Sequence, residues 1–180
     1  MGVKMLLMLI GKSGTGKTSI INNLNRFKYA PSYTTRPPRK NDDKIYIEHN
    51  EFCRILDEFI EYTKYNNYWY GRKKADILLA KNENLIVDIE PIGLYKYTEF
   101  CNLHNIPYIT IYLKCDESER LKRIKNDKIR ISRIDKYFED AEWFKFYDII
   151  LDTSKFTINE ITQIIQCIIV INKKQNLQVI

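Results

Sequence analysis

The sequence predicts an α/β fold of three layers, αβα, with a central parallel sheet, a small β-rich insertion and a helical lid. Three observations predict it. Residues 4–10 form a continuous apolar run that ends in a glycine-rich loop, the pattern of a parallel strand buried on both faces. Residues 84–89, 106–113 and 147–151 resemble that run, and segments with helical spacing separate them. The alternation breaks at residues 31–70 and 116–142, and those two breaks supply the insertion and the lid.

In chain order, the first run leads through the loop into residues 18–27, where Ile20, Ile21, Leu24 and Phe27 have helical spacing. Residues 31–70 carry short runs rich in Tyr, Thr and Ile around Pro37, Pro38 and an Asn-Asp-Asp turn, with a brief helix expected near residues 50–56. Pro91 suits the first position of a helix over residues 91–103. Residues 116–142 are strongly charged and contain neither glycine nor proline, so they are expected to be helical and exposed. Residues 157–169 read as a final helix, and the polar tail after Ile171 is expected to be disordered. The 180 residues suit one compact domain. Its core is expected at about residues 1–30, 84–116 and 144–171, with an acceptor-binding region at about 31–83 and a lid at about 117–143.

Composition excludes several classes. The formal net charge of +6 suits anionic partners, but Lys and Arg alternate with Asp and Glu along most of the chain. No basic stripe or nucleic-acid-binding module is recognisable. Cys53, Cys101, Cys115 and Cys167 are scattered, and His49 and His104 have no metal-ligand spacing. That speaks against a disulfide framework and a zinc site, and for a reducing, cytoplasmic setting. Residues 1–10 run directly into the glycine loop, so they read as a buried strand rather than a secretion signal. Residues 167–171 are too few to span a bilayer. Monomer and homodimer both remain open.

The segment Gly11-Lys12-Ser13-Gly14-Thr15-Gly16-Lys17-Thr18 carries the nucleotide chemistry. It matches G-x-x-x-x-G-K-[ST], in which glycines let backbone N–H groups converge on β- and γ-phosphate oxygens. The helix that follows adds the positive end of its dipole. Lys17 can bridge the β- and γ-phosphates of ATP, and the Thr18 hydroxyl can ligate Mg²⁺. Asp88 ends the apolar run Leu85-Ile86-Val87, where a second carboxylate would hold Mg²⁺ through water; capping the helix at Pro91 is its other reading.

The acceptor is suggested by Ser32-Tyr33-Thr34-Thr35-Arg36-Pro37-Pro38-Arg39. This segment resembles the S-x-T-T-R-x-P-R signature of guanylate kinases. Phe59-Ile60-Glu61 and Tyr68-Trp69-Tyr70-Gly71 resemble that family's F-I-E and Y-Y-G segments, with Glu61 and Tyr70 nine residues apart. Val87-Asp88-Ile89-Glu90 resembles its L-D-I-D strand, and Arg133 precedes Tyr147 by the family's fourteen residues. The resemblance implies that Arg36, Arg39, Tyr46 and Tyr70 grip the phosphate of GMP or dGMP. Ser32 and Glu61 would face the guanine, where a carboxylate opposite two N–H donors selects guanine over adenine. It further implies in-line transfer of the γ-phosphoryl of MgATP, with Arg133 and then Arg123 closing on the transferred group. Arg120 and Arg130 read equally as lid arginines or as a solvated helix face.

The chain departs from the pattern at three places. Glu90 replaces an Asp near the guanine amino group, Arg72 replaces a small hydroxyl residue, and Asn41-Asp42-Asp43-Lys44-Ile45-Tyr46 shortens the usual acidic stretch. Pairing of Arg72 with Glu61 or Glu90 is therefore expected to reshape the base pocket. A kinase for another (deoxy)nucleoside monophosphate is the nearest alternative. A non-catalytic binding module of the same fold is the other, although it would have lost the Lys17 and Arg133 positions.

Overall fold

A computed structural model describes residues 3–39, 43–125, 138 and 145–175. Its central sheet is parallel throughout and has the strand order β2-β7-β1-β8-β9. Here β1 is Leu6–Ile10, β2 Lys28–Tyr29, β7 Leu85–Ile89, β8 Tyr108–Lys114 and β9 Ile149–Asp152. All five β1 side chains have 0% exposure, so the strand is sealed on both faces, as its unbroken apolar run requires.

Alternation along β1 divides the core. Leu6, Met8 and Ile10 pack with Val87 and with Leu94, Tyr97 and Cys101 of α4, Pro91–Leu103. Leu7 and Leu9 face the other way, against Ile20 of α1, Lys17–Asn23, and Ile161, Ile165 and Ile169 of α6, Ile158–Gln175. Each of these side chains contributes about 1.5–3 kcal/mol by leaving water.

The second sheet has the order β4-β3-β6-β5, with β3 Tyr33–Thr34, β4 Ile45–Tyr46, β5 Phe59–Tyr65 and β6 Tyr68–Lys73. β5 and β6 form an antiparallel hairpin. Asn66 and Asn67 form its two-residue turn at φ 46° and 65°, the left-handed region that asparagine tolerates best after glycine. The ladder shifts register between Phe59 and Glu61. Irregularities of this kind re-aim a side chain, and this one falls immediately before Glu61. Helix α2, His49–Arg54, and a short turn, Leu56–Glu58, precede the hairpin. Helix α3, Lys74–Leu78, follows it, and its second turn, Leu79–Lys81, leads back to the central sheet.

Several boundaries differ from the sequence reading. The first helix ends at Asn23 instead of residue 27, and the chain then turns into β2, an edge strand of two residues that pairs with β7. Two residues are too few to leave a periodic signal. The final helix starts on a capping box, with Thr157 Oγ1 accepting from Glu160 N–H and Glu160 Oε2 from Thr157 N–H. It continues to Gln175, past the point where a polar tail was expected. Of the charged stretch, α5 is Glu117–Arg123, capped by Asp116, whose Oδ1 accepts from the N–H groups of Ser118 and Glu119. Arg130 and Arg133 lie outside the described residues.

Candidate functional site

The carboxyl ends of β1 and β7, the second sheet and the start of α6 surround one cavity of about 740 Å³. Ligands of open α/β sheets bind at such strand ends. Gly11, Ser13, Gly14, Gly16, Lys17 and Thr18 line it on one side, and Ser32, Arg36, Arg39, Glu61 and Tyr70 on the other. Asp88, Glu90, Arg72 and Arg123 also line it. The structure thus brings together residues that are spread over more than a hundred positions of sequence.

The glycine loop is built to stay close to whatever it holds. Gly14 and Gly16 have φ +91° and +93°, and a Cβ on Gly14 would stand 2.6 Å from Ile124 Cγ2. No other residue adopts that backbone without strain. Thr15 Oγ1 donates to the Lys12 carbonyl at 2.9 Å and braces the turn. The Lys17 ammonium curls over the loop, donating to the carbonyls of Gly11 and of Lys12, the latter at 2.9 Å. A cradle with no room for side chains and a lysine spanning it fit a triphosphate. Among the described residues no group of three His, Cys, Asp or Glu could hold a metal by itself. Thr18 and Asp88 supply one hydroxyl and one carboxylate, which suits Mg²⁺ only when phosphate and water complete its shell.

Arg72 corrects the sequence reading. Its side chain is 2% exposed, and its salt bridge runs to Asp88 Oδ1 at 3.1 Å instead of to Glu61 or Glu90. Nε donates to the Ala30 carbonyl at 2.8 Å, and Nη1 to the Asp88 carbonyl at 3.2 Å and the Tyr97 hydroxyl at 2.9 Å. Glu61 is its partner in the strand register, but the longer side chain reaches past it to the end of β7. Tyr29 Oη donates to the same Asp88 oxygen at 2.7 Å and accepts from Lys44 Nζ at 3.1 Å. Arg72, Asp88 and Lys44 of this network line the cavity, and Ala30, Tyr29 and Tyr97 hold them from behind.

The charges respond to that packing. Burial opposes ionisation of Asp88, but Lys44, Arg72 and the Tyr29 hydrogen bond outweigh it and lower its pKa to about 2. Burial, with Asp88 beside it, raises the Tyr29 phenol above its ordinary value. Burial also raises Glu61, against the pull of Arg72 and Lys96. Burial lowers the Lys44 ammonium; Arg72 and Arg36 add to that shift, and Asp88 and Asp43 oppose it.

Arg36 is buried, its Nη1 donating to the Pro37 carbonyl at 3.0 Å. Tyr46 is not among the residues lining the cavity. Its ring lies 5.6 Å from the Arg36 guanidinium, and its hydroxyl accepts from the Arg39 N–H at 3.4 Å. Arg120 belongs to neither of its two expected classes. It is 3% exposed, chelates Glu117 at 2.6 and 2.8 Å and donates to the Ser13 carbonyl at 2.9 Å, tying α5 to the glycine loop. Arg123 donates to Thr153 Oγ1 at 3.2 Å and to its carbonyl at 2.8 Å while facing the cavity.

Sequence reasoning missed Lys44, Tyr29 and Tyr97 here. Tyr97 has the spacing of a core residue on α4, and nothing local distinguishes Lys44 within its polar run.

Comparison with known proteins agrees with this architecture. The family model described as guanylate kinase matches residues 3–170. A guanylate kinase of Mycoplasma mobile is 30% identical over 166 residues, covering 78% of this chain and 82% of that protein. One from Lawsonia intracellularis is 37% identical over 99 residues, covering 48% of this chain and 47% of that protein. The alignment thus spans about half the length of the Lawsonia relative. The crystal structure of guanylate kinase from Anaplasma phagocytophilum has the same fold, with a TM-score of 0.66 at 22% identity over 96% of this chain and 87% of that one. No described helix is long and apolar enough to cross a membrane.

Proposed function

The chain belongs to the guanylate kinase family, and from that premise we propose that it transfers the γ-phosphoryl group of ATP to GMP or dGMP, yielding the diphosphate and ADP. One observation carries the reading: the glycine loop and the Arg36, Arg39, Tyr70 and Glu61 cluster share a single cavity. Two anionic substrates can therefore meet in it with reacting groups in line.

Lys17 leaves the loop carbonyls to bridge the β- and γ-phosphates, and Gly11, Ser13, Gly14, Thr15, Gly16 and Thr18 wrap them. Arg36, Arg39 and Tyr70 fix the acceptor phosphate by charge-assisted hydrogen bonds, while Tyr46 steadies both arginines from behind. Ser32, Glu61 and Glu90 face the base, and Arg72 lines the same cavity. Mg²⁺, held by Thr18 and Asp88 with phosphate and water, would neutralise charge on the phosphates. Among the described residues all Asp88 side-chain contacts fall on Oδ1, which leaves Oδ2 for that role. No protein nucleophile is needed, so positioning and electrostatic stabilisation carry the catalysis. Arg123 and Arg133 close on the transferred group, Arg133 lying outside the described residues. A cytoplasmic monomer or homodimer completes the reading.

Glu90, one methylene longer than the Asp of the family pattern and lining the same cavity, favours a second reading in which another (deoxy)nucleoside monophosphate is accepted. A coupled assay of ADP release with GMP, dGMP, AMP, UMP and CMP separates the two. We expect turnover with GMP and dGMP and little with the rest. Comparable turnover of AMP would move the reading to the altered pocket, and no monophosphate-dependent ADP release would remove the kinase activity altogether.

A further inference from the structure

Among the described residues, the transfer proposed above leaves one cation of the cavity without a role. Lys44 lines the cavity together with Arg36 and Arg39, and its side chain is 20% exposed. It immediately precedes β4, which pairs in parallel with β3, and Arg36 lies two residues beyond β3. In that register Lys44 stands level with Ser32 and Arg36 lies beyond the far end of the pair, and both side chains line the cavity. Tyr29 takes one of the three ammonium donors, at 3.1 Å. Asp88 Oδ1 is 3.9 Å away, beyond hydrogen-bonding distance, and already accepts from Arg72 and Tyr29.

We propose that Lys44 is a further binding residue for the acceptor's phosphate, held beside Tyr29 until that phosphate arrives and then shared with Arg36. Charge balance supports it. Asp88 faces Arg72 at 3.1 Å and Lys44 at 3.9 Å, both through Oδ1, so one carboxylate oxygen is shared by two largely buried cations. Cations in a low-dielectric wall need an anion to offset their desolvation, and a phosphate dianion supplies it. An ammonium on a flexible four-carbon stem presents donors in any direction.

This inference rests on the GMP-binding reading, so equilibrium binding to the full chain is measured apart from turnover. Lys44→Met should weaken GMP binding by roughly tenfold or more, the scale of one hydrogen bond to a charged group. Binding of guanosine, which has no phosphate, should change less than about twofold, and Lys44→Arg should restore most of the GMP affinity. Lys44→Gln gives the same comparison with a shorter polar side chain, and the thermal midpoint of each variant reports folding. Unchanged GMP affinity in Lys44→Met, or an equal loss for GMP and guanosine, would overturn the proposal in favour of a structural lysine. Absence of any GMP binding by the unmodified chain would overturn this role and the GMP reading together. Binding without transfer would remove only the reaction, and Lys44 would still be judged by the GMP and guanosine pair.

Discussion

The two walls of the cavity are made in opposite ways. The wall proposed for the donor is one contiguous loop, Gly11 to Thr18, built from backbone geometry plus one lysine. The wall proposed for the acceptor draws on Ser32, Lys44, Glu61, Tyr70, Arg72 and Asp88, which belong to different strands and loops and are held by side chains. On the first, stability and function are expected to be separable, because the loop follows a β1 strand sealed in the core. On the acceptor side they are not. Arg72 satisfies the carbonyls of Ala30 and Asp88, the Tyr97 hydroxyl and the Asp88 carboxylate in one buried network, and Arg72 and Asp88 of that network also line the pocket.

Substitutions sharpen this contrast. Lys17→Ala should have the largest effect on activity, lowering kcat by roughly 10³-fold, as loss of a preorganised charge contact does. Stability should move by less than about 1 kcal/mol, and GMP affinity should be preserved. Loss of GMP affinity in this variant would mean that the two walls are not distinct subsites. Arg72→Met should behave in the opposite sense. Removing the buried guanidinium leaves Asp88, among the described residues, only the Lys44 ammonium at 3.9 Å as ion-pair partner, and takes the donors from the Ala30 carbonyl and the Tyr97 hydroxyl. The cost is about 3 kcal/mol, which for a chain of this size lowers Tm by about 6–12 °C. A calorimetric midpoint within a degree of the unmodified chain would show that this network is dispensable.

The smallest effect is the pH dependence of the Arg72 and Asp88 pair. Lys44, Arg72 and the Tyr29 hydrogen bond hold the Asp88 carboxyl at about 2 in the fold, below its ordinary 3.8. Its contribution is thus fully present above pH 4 and is lost as pH falls from 3.8 through 2. The span corresponds to about 2 kcal/mol. Urea midpoints measured between pH 5 and 3 should fall less steeply in Asp88→Asn than in the unmodified chain. Equal slopes would place the acid sensitivity elsewhere.

How much of this was legible in the sequence follows the same division. The strand runs at residues 4–10, 84–89 and 106–113 and the helix at 91–103 could be read directly, because continuous apolar stretches and a Pro at the first helical position are local signals. Strand β2 was not, since two residues at a sheet edge carry no period. Arg120 read equally as a lid arginine or as part of a solvated helix face; its burial depends on Glu117 and on the Ser13 carbonyl, which lies 107 positions away in sequence.

By itself the sequence determined the three-layer α/β class and the position of the glycine loop, since both depend on backbone preference and hydrophobic periodicity within short windows. It also supplied the residues that carry the family resemblance. Only the tertiary structure decided that Arg72 turns to Asp88 instead of Glu61, that Tyr46 stands behind Arg36, and that Lys44 enters the cavity. Those outcomes depend on which buried charges meet across strands distant in sequence. A long side chain, once desolvated, goes to whichever acceptors the packing leaves within reach.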